Sequence, residues 1–334
     1  MKICLIGVTG HIKYVLNGVR KDKDSRIVGI APGSPREKIE KIYHLLDDGI
    51  RVYSDYREML DELQPDIVTV ACHFNDHARI TVEVLERGSH VFVEKPVALT
   101  FEELEQVKKA HASSGRYLAA MFGLRYKPWF MTAWKSVRSG MIGDIRMLNA
   151  QKSYKLGLRQ EFFKHRNTYG GTIPWVGSHA IDWVYWFSGE KFRSVYATHS
   201  RKYNKDHGEL EVTALCHFTL TNEIFASVSV DYLRPEQAPT HDDDRLRVVG
   251  TKGIIEVREH KVFLINGECS GIKELPLLPE EEIFFDFLKQ AKGQGECLVS
   301  AEESFYITEA CLRARQSADE GKVLFFQEES CRKA

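Results

Sequence analysis

The chain has no CxxC pair, no long apolar run and no surplus of charge of either sign. Its seven cysteines (Cys4, Cys72, Cys216, Cys269, Cys297, Cys311 and Cys331) are scattered and odd in number. That pattern argues against a disulfide framework or a zinc ribbon and for reduced thiols in the cytosol. No stretch approaches the roughly 20 apolar residues that span a bilayer, and the first residues lead straight into a strand with no apolar signal segment. Lys and Arg number 46 against 47 Asp and Glu, so the net charge of −1 supplies no global field for nucleic acid or an anionic membrane. Basic residues form no stripe along any helix. Internal repeats, low-complexity tracts and long linkers are missing as well. These absences leave a cytoplasmic globular protein with no nucleic-acid or membrane partner. What is present is ordinary: 43% apolar and 28% charged residues, enough for a real core, in 334 residues that suit two domains.

The first half alternates strand and helix. Lys2–Ile6 is a short apolar strand ending at Gly7-Val8-Thr9-Gly10, and a helix follows from about His11 to Arg20. Strand, glycine turn and helix open a dinucleotide-binding unit, because the glycines permit a tight turn and the helix N-terminus offers N–H groups to a pyrophosphate. The later small position of that fingerprint holds Ile12 or Lys13, so a plain strand–helix turn competes with this reading. The second strand, Arg26–Ile30, lacks the acid that would take the adenosine ribose hydroxyls. Ser34 and Arg36 stand there instead, either to meet a 2′-phosphate or merely to begin a helix running through Glu37 to Leu45. The balance tips slightly toward NADP over NAD. Helix Asp55–Leu63, strand Asp66–Ala71 and helix Asp76–Arg87 continue the alternation, which implies a parallel sheet covered on both faces. Val91-Phe92-Val93 then ends in Glu94-Lys95-Pro96. Pro96 stops the strand and fixes where Lys95 emerges, at the carboxyl edge where ligands bind in such sheets. Thr100 and Glu103 form a capping box, and Tyr117–Phe122 closes the domain near Gly123.

After Gly123 the pattern changes. Helix Pro128–Ser139 carries Trp129, Phe130 and Trp134, expected to pack between domains. Period-two alternation through Val212–Leu220 and Ile224–Val230 reads as an antiparallel or mixed sheet with one face packed. Arg245–Val249, Ile254–Arg258 and Val262–Ile265 add strands. Helices Glu280–Ala291 and one capped by Ser300 with Glu303 finish the chain.

The ordered set Gly7-x-x-Gly10, His77, Gly88-x-His90-Val91-x-x-Glu94-Lys95-Pro96, Arg125-Tyr126-x-Pro128, Gly140-x-Ile142-Gly143, Gly170-Gly171, Gly177-x-His179-x-x-Asp182 and Gly250-Thr251-x-Gly253 resembles the glucose-fructose oxidoreductase / inositol dehydrogenase / rhizopine-catabolism (Gfo/Idh/MocA) family over nearly the whole length. The resemblance implies an α/β protein: an N-terminal Rossmann domain with a doubly wound parallel sheet (residues 1–122). A C-terminal substrate and oligomerisation domain (residues 123–334) with an open-faced, mostly antiparallel sheet would follow. It implies an NAD(P)-dependent enzyme acting on a sugar, polyol or related carbonyl compound, paired as a dimer or tetramer through that sheet. Lys95 inherits the role of polarising the reacting oxygen, and His179 that of proton donor or acceptor. Gly7, Thr9, Gly10, His11, Ile12, Ser34, Arg36, Cys72, His73, His77, Glu94 and Lys95 are the expected cofactor contacts. Tyr126, Tyr154 and Trp175 join Lys95 and His179 as expected substrate contacts. The chemistry agrees: moving a hydride to or from a carbinol also moves one proton, histidine titrates near neutral pH, and a lysine cation would hold the developing alkoxide.

This sequence departs from the family in a clustered way. The aspartate usual four residues before the histidine is Trp175, a flat face on which a sugar ring could stack. Cys72-His73-Phe74 replaces the family's Thr-Pro-Asn. These changes keep two alternatives in view, a sugar-sensing protein without catalysis and glycoside cleavage by transient oxidation with a recycled cofactor. His73, Asp76 and His77, or His241 through Asp244, lack the further ligands a metal site needs, so no metal is expected. Substrate choice is expected to rest on the loops Tyr154–Tyr169 and Arg234–Asp244.

Overall fold

The computed structural model describes residues 1–268 and 270–327, so Cys269 and Cys331 lie outside it. The chain groups into two compact units. One comprises Met1–Gly123, His165–Gly170 and Glu281–Glu309; the other comprises Leu124–Lys164, Gly171–Glu280 and Ala310–Ala334. No helix among the described residues is long and apolar enough to cross a membrane.

The first unit is built on a six-stranded, wholly parallel sheet. Its strands are β1 (Lys2–Ile6), β2 (Arg26–Ala31), β3 (Arg51–Val52), β4 (Ile67–Val70), β5 (His90–Val93) and β6 (Leu118–Ala120), in the order β3-β2-β1-β4-β5-β6. That order reverses at β1, and the crevice beyond the carboxyl ends of β1 and β4 is the expected binding place in a doubly wound sheet. β4 and β5 are buried at every position, as strands covered on both faces must be. Helices α1 (Lys13–Arg20), α2 (Tyr56–Leu63), α3 (His77–Glu86) and α4 (Phe101–Ser114) make the crossovers. Asp55 caps α2, and Thr100 with Glu103 forms the expected capping box on α4.

The expected helix from Glu37 to Leu45 is reduced to a 3₁₀ segment, Glu40–Leu45. Arg36 at φ 61° breaks the chain just after Pro35, so helical backbone cannot propagate from there. The sheet's cover is completed from far along the sequence. Helix α8 (Ile283–Ala291) sets Phe284 and Phe287 on Phe92, with ring centroids 5.0 and 5.4 Å apart. Gly18 on α1 permits this: a Cβ there would lie 2.7 Å from the Phe285 amide and 2.8 Å from the Phe284 Cβ. The edge strand β6 is blunted when the Ala120 amide donates to Ser304 Oγ at 3.0 Å.

The second unit carries a nine-stranded mixed sheet. Its strands are β7 (Ile145–Tyr154), β8 (Phe192–Ser200), β9 (Thr213–Leu220), β10 (Phe225–Asp231), β11 (Asp242–Gly250), β12 (Gly253–Arg258), β13 (Lys261–Asn266), β14 (Lys273–Glu274) and β15 (Leu324–Phe325). The order is β14-β13-β12-β11-β7-β10-β9-β8-β15, and only β7 and β10 run parallel. Along β9, Ala214, Cys216 and Phe218 are buried while Leu215 and His217 are exposed, the alternation of a sheet with one face packed. Leu215 (55% exposed) and Phe225 (48%) lie on the uncovered face.

Helices α5 (Pro128–Arg138) and α7 (Ser178–Ser188) cover the other face; between them in sequence comes the one-turn α6 (Arg166–Tyr169), which belongs to the first unit. Here the aromatics of α5 correct an expectation. Trp129 stacks on His260, Phe130 on Trp183 and Trp134 on Trp186, all inside the second unit rather than between domains. Their partners lie 52 to 131 positions away along the chain, so sequence alone could not assign them.

Candidate functional site

In the first unit the expected cofactor residues converge on the ends of β1, β4 and β5. Gly7 has φ +76°, and a Cβ there would fall 2.6 Å from the Ala71 carbonyl and the Cys72 Cα. Gly10 has φ +78°, with a Cβ position 2.8 Å from Glu94 Cδ. Only glycine fits either place. The turn is held down as the Thr9 amide donates to Ala71 O at 2.6 Å. No side chain caps the first turn of α1 and no acid stands in it, so its N–H groups face the end where an anion is favoured.

Glu94 straps this turn to β5. Its buried carboxylate accepts from the His11 amide at 2.6 Å, pairs with His11 Nδ1 at 2.8 Å, and accepts from the Lys95 amide at 2.9 Å. Burial opposes the charge, but the His11 ring, Lys95 and the His11 amide outweigh it and hold the carboxyl below its ordinary value. Lys95, 1% exposed, thus begins at a backbone position fixed by its own neighbour.

His77 is fully buried, with Nδ1 2.8 Å from the Pro96 carbonyl and Nε2 3.2 Å from the Cys72 carbonyl. It clamps the β5 terminus to the β4 terminus, and burial lowers its pKa. Ser34 is also interior: its hydroxyl donates to Asp76 at 2.7 Å and accepts from the His73 amide at 3.0 Å. Burial, with Glu37 and Asp76 adding to it, pushes the Cys72 thiol well above its ordinary value, and burial lowers His73. Ile12 is buried beneath the turn, while Arg36 is exposed.

One residue escaped the sequence reading. Glu37 accepts from the Val8 amide and Thr9 hydroxyl, each at 3.0 Å, and from the Gly33 amide at 3.1 Å. A carboxylate therefore does lie where β2 meets the glycine turn, delivered by the loop that follows the strand. The signal was Ser34-x-x-Glu37, a serine followed three residues later by an acid, read here as the start of a helix.

A cavity of about 770 Å³ in this unit is lined by Met1, Gln64, Pro65, Arg87 and Arg116, among others. It sits at the amino ends of the strands, opposite the edge just described, and has no bearing on it.

In the second unit His179 and Asp182 open α7, but a π-helical turn, Ile173–Gly177, precedes them. Such turns are frequent at functional sites. The widened turn displaces Trp175 from the i−4 position a regular helix would give it relative to His179. Trp175 is 8% exposed and packs near Phe163, with ring centroids 6.3 Å apart. Asp182 accepts two bonds from Arg125 Nε and one at 2.6 Å from Nη2, a buried pair that joins the start of the unit to α7. Tyr126, next to Arg125, is 2% exposed.

Tyr154, at the end of β7, stacks on His241 at 4.9 Å, and Lys152 Nζ lies 4.9 Å from its ring and 5.6 Å from that of Trp183. Lys152 in turn donates to both oxygens of Asp244 at 2.6 Å. Burial, then Asp244 and Asp242, push the Tyr154 phenol well above its ordinary value, so it keeps its proton. The two expected specificity loops meet here: Lys155 N donates to His241 O at 2.9 Å and Arg234 N to Tyr154 O at 3.1 Å. Among the described residues no group of three or more His, Cys, Asp or Glu could hold a metal ion. Lys95 belongs to the first unit and His179 to the second.

Residues 1–122 match the oxidoreductase family with an NAD-binding Rossmann fold, and residues 130–256 match the Gfo/Idh/MocA C-terminal domain. A putative oxidoreductase from Thermotoga maritima is 51% identical over 98% of this chain and 100% of its own, with a TM-score of 0.95. An uncharacterized oxidoreductase of Bacillus subtilis, YrbE, is 28% identical over 60% of this chain and 58% of its own length. Inositol 2-dehydrogenase of Salmonella typhimurium is 24% identical over 57% of this chain and 54% of its own. The matched stretch thus spans little more than half of each of these two curated relatives. With a glycine turn closed onto Glu94-Lys95-Pro96, a His179-x-x-Asp182 helix and both family domains matched in order, the chain belongs to the Gfo/Idh/MocA oxidoreductase family.

Proposed function

We propose that this chain is an NAD(P)-dependent oxidoreductase that moves a hydride between a nicotinamide and a hydroxyl-bearing carbon of a sugar or polyol. The observation that carries the reading is the Gly7–Gly10 turn. Both glycines sit at positive φ and pack too closely on Ala71, Cys72 and Glu94 to admit a Cβ, and the same carboxylate that closes the turn fixes Lys95. The residues present fit a dinucleotide: glycine turn and α1 amides for the pyrophosphate, Glu37 for the ribose. When bound, the nicotinamide supplies the hydride acceptor or donor. The Lys95 ammonium polarises the reacting oxygen and holds it as negative charge develops. His179 takes the hydroxyl proton in oxidation and returns it in reduction. In this reading the first unit binds the nucleotide and the second the substrate.

Glu37 favours NAD over NADP. A carboxylate on the β2 side of the turn repels a 2′-phosphate, and Ser34 is occupied by Asp76 and His73. Titrating the protein with NADH and NADPH by tryptophan fluorescence tests this. NADH is expected to bind at least tenfold more tightly, with Glu37→Gln narrowing the gap; tighter NADPH binding would contradict it. A screen of sugars and polyols follows, in which Lys95→Ala and His179→Ala lose turnover by at least a hundredfold while still binding NADH.

The uncovered face of the nine-stranded sheet, with Leu215, Phe225 and Met147 exposed, supports self-association into a dimer or tetramer. Sedimentation should give an oligomer that Leu215→Glu with Phe225→Glu converts to a monomer. A monomeric parent at 100 μM (roughly the range where weak interfaces assemble) would refute it.

A further inference from the structure

We infer that the second unit contains an anion subsite built on Arg159, and that the substrate carries a carboxylate: a sugar acid rather than a neutral sugar. This rests on the sugar oxidoreductase reading for its substrate class, but not for its geometry.

Arg159 stands in the loop after β7. Its guanidinium lies over the Tyr232 ring at 4.8 Å and near the Phe163 ring at 5.7 Å. A guanidinium beside aromatic rings keeps N–H donors for other partners, the group that takes a carboxylate through two parallel bonds. One bond is made within the chain, from Nη2 to the Lys155 carbonyl at 3.0 Å. Nε is buried and has no hydrogen-bond partner among the described residues. No carboxylate among them lies within ion-pair distance of this guanidinium. A half-buried cation with an unmet donor costs stability, and a ligand anion would offset that cost.

The surroundings carry the same sign. Lys155, whose carbonyl holds Arg159, sends its ammonium to the carbonyls of Glu236 and Ala238 at 2.8 and 2.6 Å and to no carboxylate. Lys152 and Asp244 cancel each other, and Asp243 is taken by Arg245 and Arg234. Asp242, the third acid of the run, is outweighed by Arg159 and Lys155 together. Tyr154 and His241, stacked at this place, offer a phenolic donor and an imidazole to sugar hydroxyls.

The test is calorimetric titration of the NADH-loaded and the free protein with D-glucuronate, D-galacturonate and D-gluconate against D-glucose and D-galactose, with glucose 6-phosphate as a further arm. The acids are expected to bind at least tenfold more tightly than their neutral counterparts. Arg159→Gln should erase that gap, Arg159→Lys should retain part of it, and both should bind NADH like the parent. Equal or tighter binding of neutral sugars, a gap unchanged in Arg159→Gln, no acid binding at millimolar concentration, or preference for the sugar phosphate would each overturn the inference. An Arg159-dependent preference in a protein that binds neither nicotinamide would uphold the subsite and sink the oxidoreductase reading. NADH binding and sugar turnover without acid preference would do the reverse.

Discussion

Glu94 bears more of this structure than its place beside Lys95 alone would ask. Its carboxylate is buried, yet kept charged by His11 and two backbone amides, so its folded pKa lies below the ordinary 4.5. The unfolded chain therefore takes up this proton first as pH falls, and Glu94 contributes stability above about pH 4.5 that is lost in acid. Buried His77, lowered from 6.5, acts in the same direction and begins earlier, since the unfolded state protonates below 6.5 while the folded state resists. Melting temperature should thus fall in two stages on acidification, from below pH 6.5 and again below 4.5. His77→Asn should shrink the first stage without removing it, because burial also lowers His73, His90, His111 and His241, and an unchanged profile in that variant would contradict the assignment. The Arg125–Asp182 pair offers a second test. Asp182→Asn removes a buried carboxylate that Arg125 meets through three bonds, and unfolding in urea should shift by about 3–5 kcal/mol. A shift below about 1 kcal/mol, the range of exposed pairs, would mean the pair is not buried in solution.

At the scale of elements, legibility followed the physics of burial. Strands β4 and β5 are apolar at nearly every position because both faces are covered, and such runs announce themselves in sequence. Strand β7 is the centre of the second sheet and was not read as a strand. Its inward positions include Lys152, hidden because Asp244 from β11 neutralises it, so the apolar alternation is broken by a pair no local pattern reveals. The π-helical turn before His179 was invisible for a related reason, since spacing arguments assume a regular helix. The site was half legible. Gly7, Gly10, Glu94 and Lys95 stood out by type and order, whereas Glu37 and Arg159 matter through what their loops bring near. Helix α8 lies almost 200 residues from the strand it covers. Gly18→Ala should push it off α1 and cost about 1–3 kcal/mol in urea unfolding, the usual range for overpacking; no loss would show that the helix is not seated there.

Over the whole molecule, the nucleotide unit is discontinuous in sequence. A fragment ending at Gly123 lacks α8 and uncovers Phe92 and the Gly18 face of α1. It is expected to unfold without a cooperative transition and to lose near-ultraviolet dichroism. Restoring residues 281–309 through a flexible linker should recover both. A cooperative transition in the short fragment would refute that dependence.

The central claim is that the Gly7–Gly10 turn, closed by Glu94, holds a nicotinamide dinucleotide beside Lys95. Its most direct test is an NADH titration of the parent and of Gly10→Ala, followed by fluorescence with folding checked by circular dichroism. Micromolar binding to the parent and at least a tenfold loss in the variant are expected, because the variant's Cβ would strike the Glu94 carboxyl. No binding to the parent at millimolar NADH, or equal binding to a folded Gly10→Ala protein, would contradict it.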